Sequence, residues 1–125
     1  MPKTIQAEGA PAAVGPYVHA VRVGDLLYTS GQVGLDPATG KLVPGGIEAE
    51  TKRALDNLAA ILSTAGTGFD RVVKASVFLI DMDDFAAMNR VYASVFGDTR
   101  PARTTVAVSR LPVGARVEID VVASV

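Results

Sequence analysis

The chain lacks cysteine and has one histidine, His19, among its 125 residues. Without cysteine it cannot form a disulfide, use a thiolate nucleophile or hold zinc through thiolates. A single histidine cannot supply a two- or three-histidine metal site, and His19, which has no evident partner, is interpreted as structural. Any catalysis must therefore use other side chains.

An excess of one charge and a long apolar run are also lacking. Twelve Lys and Arg against thirteen Asp and Glu give a formal charge of -1, so nothing attracts the chain as a whole to nucleic acid or to an anionic membrane. Binding to a polyanion would need a local patch. No apolar run approaches the roughly 20 residues that span a bilayer, and the N-terminus lacks the apolar core of a signal peptide. We expect a soluble cytoplasmic protein with no membrane partner, and nucleic acid is a disfavoured partner.

What the chain does have is a high content of apolar residues, 49% of the total. Its mean hydropathy of +0.30 is high for a small protein, which has little interior relative to its surface. Association with further copies would bury the excess, although an exposed functional patch would give the same composition. The length and the absence of an internal repeat indicate a single domain over residues 1–125.

Hydrophobic periodicity predicts the order strand, strand, helix, strand, helix, strand, strand. Gly24-Asp25 suits a type II′ turn between the first two strands, and the almost uniformly apolar third strand is expected in the middle of the sheet, covered on both faces. The last two strands are expected to form a hairpin. The predicted strands span residues 18–23, 26–29, 72–80, 104–108 and 116–122, and the predicted helices span residues 47–65 and 83–96.

This order predicts a two-layer α+β domain in which both helices cover one face of a mixed β-sheet. The opposite face of the sheet would then carry apolar side chains without cover. We expect that face to pack against another subunit, in agreement with the high mean hydropathy.

Arg103 is the strongest candidate for a binding residue. It follows Pro101-Ala102 at the mouth of a predicted strand. Its planar guanidinium can hold a carboxylate through two parallel hydrogen bonds, which lysine does less well. Most arginines are solvated or form structural ion pairs, so position alone does not decide its role.

Glu118 lies in a segment, residues 117–121, that alternates apolar and acidic side chains. Glu118 and Asp120 therefore point to one face of their strand. That face is either simply exposed to solvent, or Glu118 lies across the hairpin from Arg103 and orients or deprotonates a water. The residues alone favour the solvent interpretation.

Four further residues are candidates for a binding cleft. Tyr17 can donate a phenolic hydrogen bond or pack at the domain edge. Ser30 and Gly31 can present a hydroxyl and an unhindered N–H to an anion, but no neighbouring histidine supports a serine nucleophile. Asn89 is either a surface residue or a donor in a cleft.

No metal site is predicted. The acidic residues before the second helix have no further ligand at the spacing of a calcium loop, and an acidic helix start explains them. They are Asp81, Asp83 and Asp84. The glycine pairs at 31–34 and 45–46 likewise lack the spacing and the lysine of a phosphate loop.

Several short segments, in this order and spacing, resemble the RidA (YjgF) reactive intermediate deaminase family. The similarity covers nearly the whole chain. The most telling segments are Gly15-Pro16-Tyr17, Ser30-Gly31-Gln32, Pro101-Ala102-Arg103, Arg110-Leu111-Pro112 and Val117-Glu118-Ile119.

The resemblance implies a chorismate-mutase-like α+β fold that forms a homotrimer with three clefts between subunits. It implies hydrolysis of 2-aminoacrylate-type enamines, through imines such as 2-iminopropanoate and 2-iminobutanoate, to 2-keto acids and ammonia. No metal or organic cofactor is expected. Two alternatives remain open: a module that binds a small carboxylate or keto acid without turnover, and ribonuclease or translation-inhibitor activity.

The resemblance also suggests roles for individual residues. Arg103 is similar to the carboxylate-binding arginine of the family, and Glu118 to its water-associated acid. The chain departs from the family pattern at Thr105, where many members have a cysteine, which puts any thiol-dependent reactivity in doubt. The residues similar to cleft residues of the family are Tyr17, Ser30, Gly31 and Asn89.

Overall fold

Two α-helices lie across one face of a six-stranded sheet in the structure, a computed structural model that describes residues 2–125. The predicted α+β class with a mixed sheet is confirmed. No helix in this range is both long and apolar enough to cross a bilayer. The elements are β1 (Lys3–Ile5), β2 (Ala20–Val23), β3 (Leu26–Thr29), α1 (Gly46–Thr64), β4 (Val72–Leu79), α2 (Phe85–Phe96), β5 (Ala102–Ala107) and β6 (Val117–Ser124).

Both helices lie where the apolar spacing predicts them. Helix α1 agrees with its predicted range to within one residue at each end, and Gly66 follows it with a φ of 82° that a β-carbon would disfavour. Helix α2 begins two residues later than predicted, because Met82–Asp84 form a short 3₁₀ turn before it. Gly97, with a φ of 61°, ends α2.

The strands lie in the order β1-β2-β3-β6-β4-β5, and β4 and β5 are the parallel pair among them. Gly24-Asp25 joins β2 to β3, and Gly24 takes the positive φ, 59°, that the first residue of the predicted turn needs. The sequence does not predict strand β1, since three residues are too few to show an alternating pattern. Strand β4 is interior, as predicted, but the two central strands are β3 and β6.

The predicted hairpin between the last two strands is wrong. Strand β5 pairs in parallel with β4, while β6 pairs antiparallel with β4 on its other side. The reason is that β4, α2 and β5 form a crossover unit, which returns the chain parallel to its starting strand. Strand β6 must then cross to the opposite side of β4, so Glu118 does not lie across a hairpin from Arg103.

The core lies between the helices and one face of the sheet. Side chains alternate between buried and partly exposed along β4 and β6, so a single chain covers β4 on one face and not on both as predicted. The fully buried large side chains include Leu55, Leu58, Ile61 and Leu62 of α1, Met88 of α2, and Val77, Leu79, Ile119 and Val121 of the sheet.

Among residues 2–125 no helix covers the opposite face of the sheet, which we call the open face. Exposed apolar side chains lie on it, as predicted from the hydropathy. They alternate with the buried residues of the same strands and include Val23, Leu26, Tyr28 and Val106.

Candidate active site

Arg103 lies on the edge strand β5 and points toward the helices. Its register partner on β4 is Ala75, whose side chain is fully buried on the helix-covered face. The guanidinium carbon is 4.7 Å from the centre of the Tyr92 ring and 5.6 Å from that of Phe85, both on α2. Within residues 2–125 no ion pair involves Arg103. Aromatic rings therefore position this guanidinium, and its N–H groups can bind an added anion.

The rings that hold Arg103 are themselves fixed by packing. Tyr92 stacks on Phe96 with 4.2 Å between ring centres, and Phe96 meets the edge of Phe69 at 5.0 Å. Burial raises the pKa of the Tyr92 phenol above its ordinary value, and the charge of Arg103 opposes that rise. Tyr92 is therefore neutral at physiological pH, and its ring gives the guanidinium a rigid, uncharged support.

A cleft of about 310 Å³ surrounds Arg103. Asn89 and Arg100 contribute further polar groups to its wall, and Tyr92 and Pro101 also line it. The guanidinium of Arg100 donates hydrogen bonds to the carbonyl oxygens of Gly97 and Thr99, so it is partly engaged by the backbone. Within residues 2–125 no backbone carbonyl accepts a hydrogen bond from Arg103, so its guanidinium is free to bind a small anion in this cleft.

Thr105 lies two residues beyond Arg103 on the same face of β5. Its register partner is Val77, and its hydroxyl oxygen is buried with no hydrogen-bond partner among residues 2–125. A buried polar group without a partner is costly, so this hydroxyl is an unfavourable feature of the fold on the side of β5 that carries Arg103. The position that departs from the family pattern therefore lies next to the anion cleft.

Glu118 lies on the other face of the sheet. Its register partner on β4 is Phe78, while its neighbours Val117 and Ile119 are buried on the helix-covered face. Arg103 and Glu118 consequently point away from each other in a single chain. The two residues expected to share one cleft belong to two separate half-sites, one on each face of the sheet.

Gly31 contacts the side chain of Glu118 directly. Gln32 exchanges two backbone hydrogen bonds with Ile119, at 2.8 and 3.0 Å, which hold the loop after β3 against β6. A β-carbon on Gly31 would lie 2.8 Å from the carboxyl carbon of Glu118. Glycine is needed here because the side chain of Glu118 passes over the backbone at this point.

The carboxyl group of Glu118 is only partly solvated. Burial raises the pKa of Glu118 above its ordinary value, and the neighbouring Asp120 carboxylate raises it further. Burial also raises the pKa of Asp120, whereas a hydrogen bond with Ser76 and the charge of Lys74 oppose that rise. Both carboxyl groups therefore hold a proton at higher pH than solvated ones, which is useful in a group that must take up and return a proton.

A second cleft, also of about 310 Å³, lies beside Glu118 and has a largely apolar rim. Val14, Tyr17 and Val113 contribute to this rim and are 85%, 48% and 62% exposed. This cleft differs from the first in its charge, because its wall carries a carboxyl group and no arginine.

Val113 has an unusual backbone conformation at the rim. Its φ and ψ are 55° and 22°, and Gly114 follows with a φ of 72°. The N–H of Ala115 donates to the carbonyl of Pro112 at 3.0 Å, which closes a turn of type I′ geometry. A left-handed conformation costs a residue with a β-carbon about 1–2 kcal/mol.

Ser30 and His19 support the loop that contains Gly31. The Ser30 hydroxyl donates to the carbonyl of Val18 at 2.6 Å, and its N–H donates to the carbonyl of His19 at 2.9 Å. The buried His19 ring accepts at Nδ1 from the N–H of Ala7, and Nε2 lies 2.7 Å from the carbonyl oxygen of Pro11. The structural role predicted for His19 is confirmed, and Ser30 positions the backbone beside Glu118.

The acidic residues before α2 also have structural partners. Asp84 accepts hydrogen bonds from Nε and Nη2 of Arg116, at 3.1 and 2.9 Å. Asp81 accepts from the backbone N–H of Asp83 at 2.9 Å. These contacts fix the start of the helix that carries Tyr92.

Sequence reasoning misses two residues of these clefts. Tyr92 falls in the apolar stripe of α2, although its position one turn after Asn89 is a signal that both face the same cleft. Val113 falls in a connecting segment, and nothing in the local sequence indicates its left-handed backbone. The structure brings Asn89 and Thr105 near Arg103, and Tyr17 and Gly31 near Glu118.

The chain is similar to known proteins over nearly its whole length. A mouse protein named 2-iminobutanoate/2-iminopropanoate deaminase is 51% identical over 121 residues, which cover 97% of this chain and 90% of the mouse protein. The structure of RidA from an Antarctic Psychrobacter matches with a TM-score of 0.95 and 42% identity, covering 98% of this chain and 99% of that one. Escherichia coli TdcF with bound serine matches with a TM-score of 0.93 and 36% identity, covering 98% of both chains.

A family model matches nearly the whole described chain. It is the model described as Endoribonuclease L-PSP, and it covers residues 7–125. The proteins that match in sequence and in structure include deaminases and members of the Rid family. The chain therefore belongs to the Endoribonuclease L-PSP family, which is the RidA/YjgF family that its motifs predict.

Proposed function

We propose that the chain hydrolyses reactive 2-imino acids, and the enamines that tautomerise to them, to 2-keto acids and ammonia. The observation that carries this proposal is Arg103, a guanidinium held by two aromatic rings in an anion cleft with no acidic partner within residues 2–125. The name of the mouse relative supports the substrate class, and the serine bound to TdcF supports a small amino-acid-like ligand.

Arg103 binds the substrate carboxylate in this proposal. Two parallel N–H···O contacts fix both the position and the plane of the carboxylate. Asn89 and the backbone near Thr105, together with the backbone near Ser30 of a neighbouring copy, contact the rest of the polar end. Arg103 thus orients the imine and does not itself take part in proton transfer, because a guanidinium stays protonated.

The complete site forms between copies of the chain. Arg103 and Glu118 point to opposite faces of one sheet, so a substrate held by one cannot reach the other within a single chain. The exposed apolar side chains of the open face supply a surface for a second copy. We therefore include a homotrimer in the proposal, with three clefts that each join Arg103 of one copy to Glu118 and Tyr17 of its neighbour.

Glu118 acts on water in this site. As the water oxygen bonds to the imine carbon, its proton passes to the Glu118 carboxylate and the C=N electron pair moves to nitrogen. The proton then passes on to that nitrogen, which gives a carbinolamine. When the hydroxyl proton transfers to the amine, the C–N bond breaks, ammonia leaves and the C=O bond forms.

The chemistry requires only modest catalysis. One imine and one water give one keto acid and one ammonia, with no change of oxidation state, so the step needs neither a metal nor an organic cofactor. A well-placed acid or base contributes a factor of about 10² to 10⁴. The raised pKa of Glu118 suits this exchange of one proton.

The decisive experiment follows the decay of 2-iminobutanoate that is generated in situ. Wild type is expected to accelerate the decay, and Arg103→Ala to lower kcat/KM about 100-fold through loss of charge-assisted hydrogen bonds. Arg22→Ala is the matched control, because Arg22 donates to the carbonyl of Gly24 at the turn between β2 and β3 and lines neither cleft.

Each alternative gives a distinct result. Equal decay with wild type and with buffer would overturn the deaminase proposal. Melting that depends on a keto acid, without turnover, would indicate a binding module. RNA cleavage that survives Arg103→Ala would indicate the nuclease activity that the family description names.

A further inference from the structure

Val113 combines a disfavoured backbone with an exposed side chain. The first position of a type I′ turn normally holds asparagine, aspartate or glycine, and a β-branched residue is rare there. Burial does not compensate in this chain, since Val113 is 62% exposed. A disfavoured backbone conformation that no packing contact offsets indicates a functional position.

The turn holds Val113 in one place. Pro112 before it has a fixed φ, Gly114 after it supplies the second left-handed residue, and the hydrogen bond from Ala115 to Pro112 closes the turn. A valine has few side-chain rotamers. Its isopropyl group therefore forms a fixed surface and not an adaptable one.

That surface lies at the cleft of the chemical step. Val113 lines the same cleft as Glu118 and Tyr17, where the rim is mostly apolar. The other half-site has the opposite character, with Arg103 and Arg100 in its wall. If the carboxylate lies at Arg103, the apolar part of the substrate is left to face the rim that includes Val113.

We propose that Val113 is a specificity-determining residue, whose isopropyl group packs against the side chain of the substrate and favours branched aliphatic 2-imino acids. This inference rests on the proposed function and deepens it. The strained turn places the isopropyl group, and the group itself distinguishes side chains by the apolar contact they make.

The test compares two substrates in two variants of the full chain. Val113→Ala removes two methyl groups and keeps the β-carbon, whereas Val113→Gly also relieves the left-handed strain. The substrates are the 2-imino acids with an isobutyl and with a methyl side chain, generated in situ by oxidation of the amino acids. Val73→Ala is the matched control, because Val73 is an exposed valine at the bulge that begins β4.

Both variants are expected to lower kcat/KM for the isobutyl substrate about tenfold and that for the methyl substrate less than about twofold. Val113→Gly is also expected to raise Tm, whereas Val113→Ala is not. Val73→Ala should leave the ratio of the two kcat/KM values unchanged.

An unchanged ratio in both Val113 variants, with wild type active, would overturn this inference alone. An equal loss for both substrates would also overturn it and would assign Val113 to assembly or to Glu118. A wild type that does not accelerate either decay would overturn the proposed function as well.

Discussion

The two half-sites of this chain differ in how they are built. The Arg103 half lies under α2, where stacked rings hold a permanent charge in place. The Glu118 half lies on the open face, where a glycine makes room for a carboxyl group whose pKa burial raises. One half is suited to binding with little movement, and the other to proton transfer beside solvent.

This difference follows from the order of the strands. Strand β5 is placed at the edge by the crossover through α2, which turns Arg103 toward the helix that carries Tyr92. Strand β6 is inserted between β3 and β4, which turns Glu118 to the uncovered face. Because Arg103 and Glu118 lie on opposite faces of one sheet, association of copies, and not folding alone, would bring the carboxylate-binding group and the proton-transfer group together.

The largest effect is expected when two inactive variants are mixed. Arg103→Ala and Glu118→Gln should each be nearly inactive alone. After unfolding and refolding together in equal amounts, about one quarter of the sites should combine an intact Arg103 with an intact Glu118 from its neighbour. Recovery of a matching fraction of wild-type turnover would support the shared site.

The control for mixing is the double variant, Arg103→Ala with Glu118→Gln, refolded with an equal amount of wild type. Light scattering on each sample checks for a mass of about three times the 12.9 kDa of one chain. Mixed oligomers of the right mass that stay inactive would show that each site is built within one chain.

Gly31→Ala probes the Glu118 half without removing its acid. The new β-carbon would lie 2.8 Å from the Glu118 carboxyl carbon, so the flexible side chain must move. A displacement of about 1 Å costs roughly 100-fold, and we expect it in kcat with KM little changed. Gly68→Ala tests the loss of a glycine alone, since the backbone of Gly68 is extended and a β-carbon there would meet only the flexible side chain of Asp70, at 3.1 Å. Unchanged kcat for Gly31→Ala would remove Glu118 from the chemical step.

The two half-sites also show which features the sequence can predict and which it cannot. Periodicity locates α1 and α2 to within two residues, because an apolar stripe is a local property. It cannot predict that β5 and β6 are separated by β4, because strand pairing depends on contacts far apart in sequence. The alternative in which Glu118 lies across a hairpin from Arg103 is wrong for the same reason. The family motifs indicate both residues as candidates, but a short motif does not indicate which face of the sheet its residue occupies.

Tyr92→Leu probes the Arg103 half-site without removing the charge of Arg103. It removes the ring that holds the guanidinium in place. Without the ring 4.7 Å away, the guanidinium loses a cation–π contact and gains freedom. Loss of such a contact weakens binding roughly five- to tenfold. We expect KM to rise by that factor, with kcat nearly unchanged. Tyr92→Phe keeps the ring and should restore KM. A change in kcat alone would contradict a positioning role.

The smallest effect concerns pH and separates the two carboxyl groups on the open face. Because the pKa of Glu118 is raised, the base is lost as pH falls, and kcat/KM should decline at a higher pH than an ordinary glutamate would give. Asp120→Asn removes a charge that raises this pKa, so the decline should move to lower pH.

The raised pKa of Glu118 also affects stability. In the folded protein it favours the protonated carboxyl group, and the stability that this protonated group contributes is lost as pH rises through that pKa. Glu118→Gln should therefore raise Tm by about 1–3 °C at pH 8 and leave it unchanged at pH 4. A lower Tm at pH 8 would mean that the ionised carboxylate has a stabilising partner, and Glu118 would then be structural.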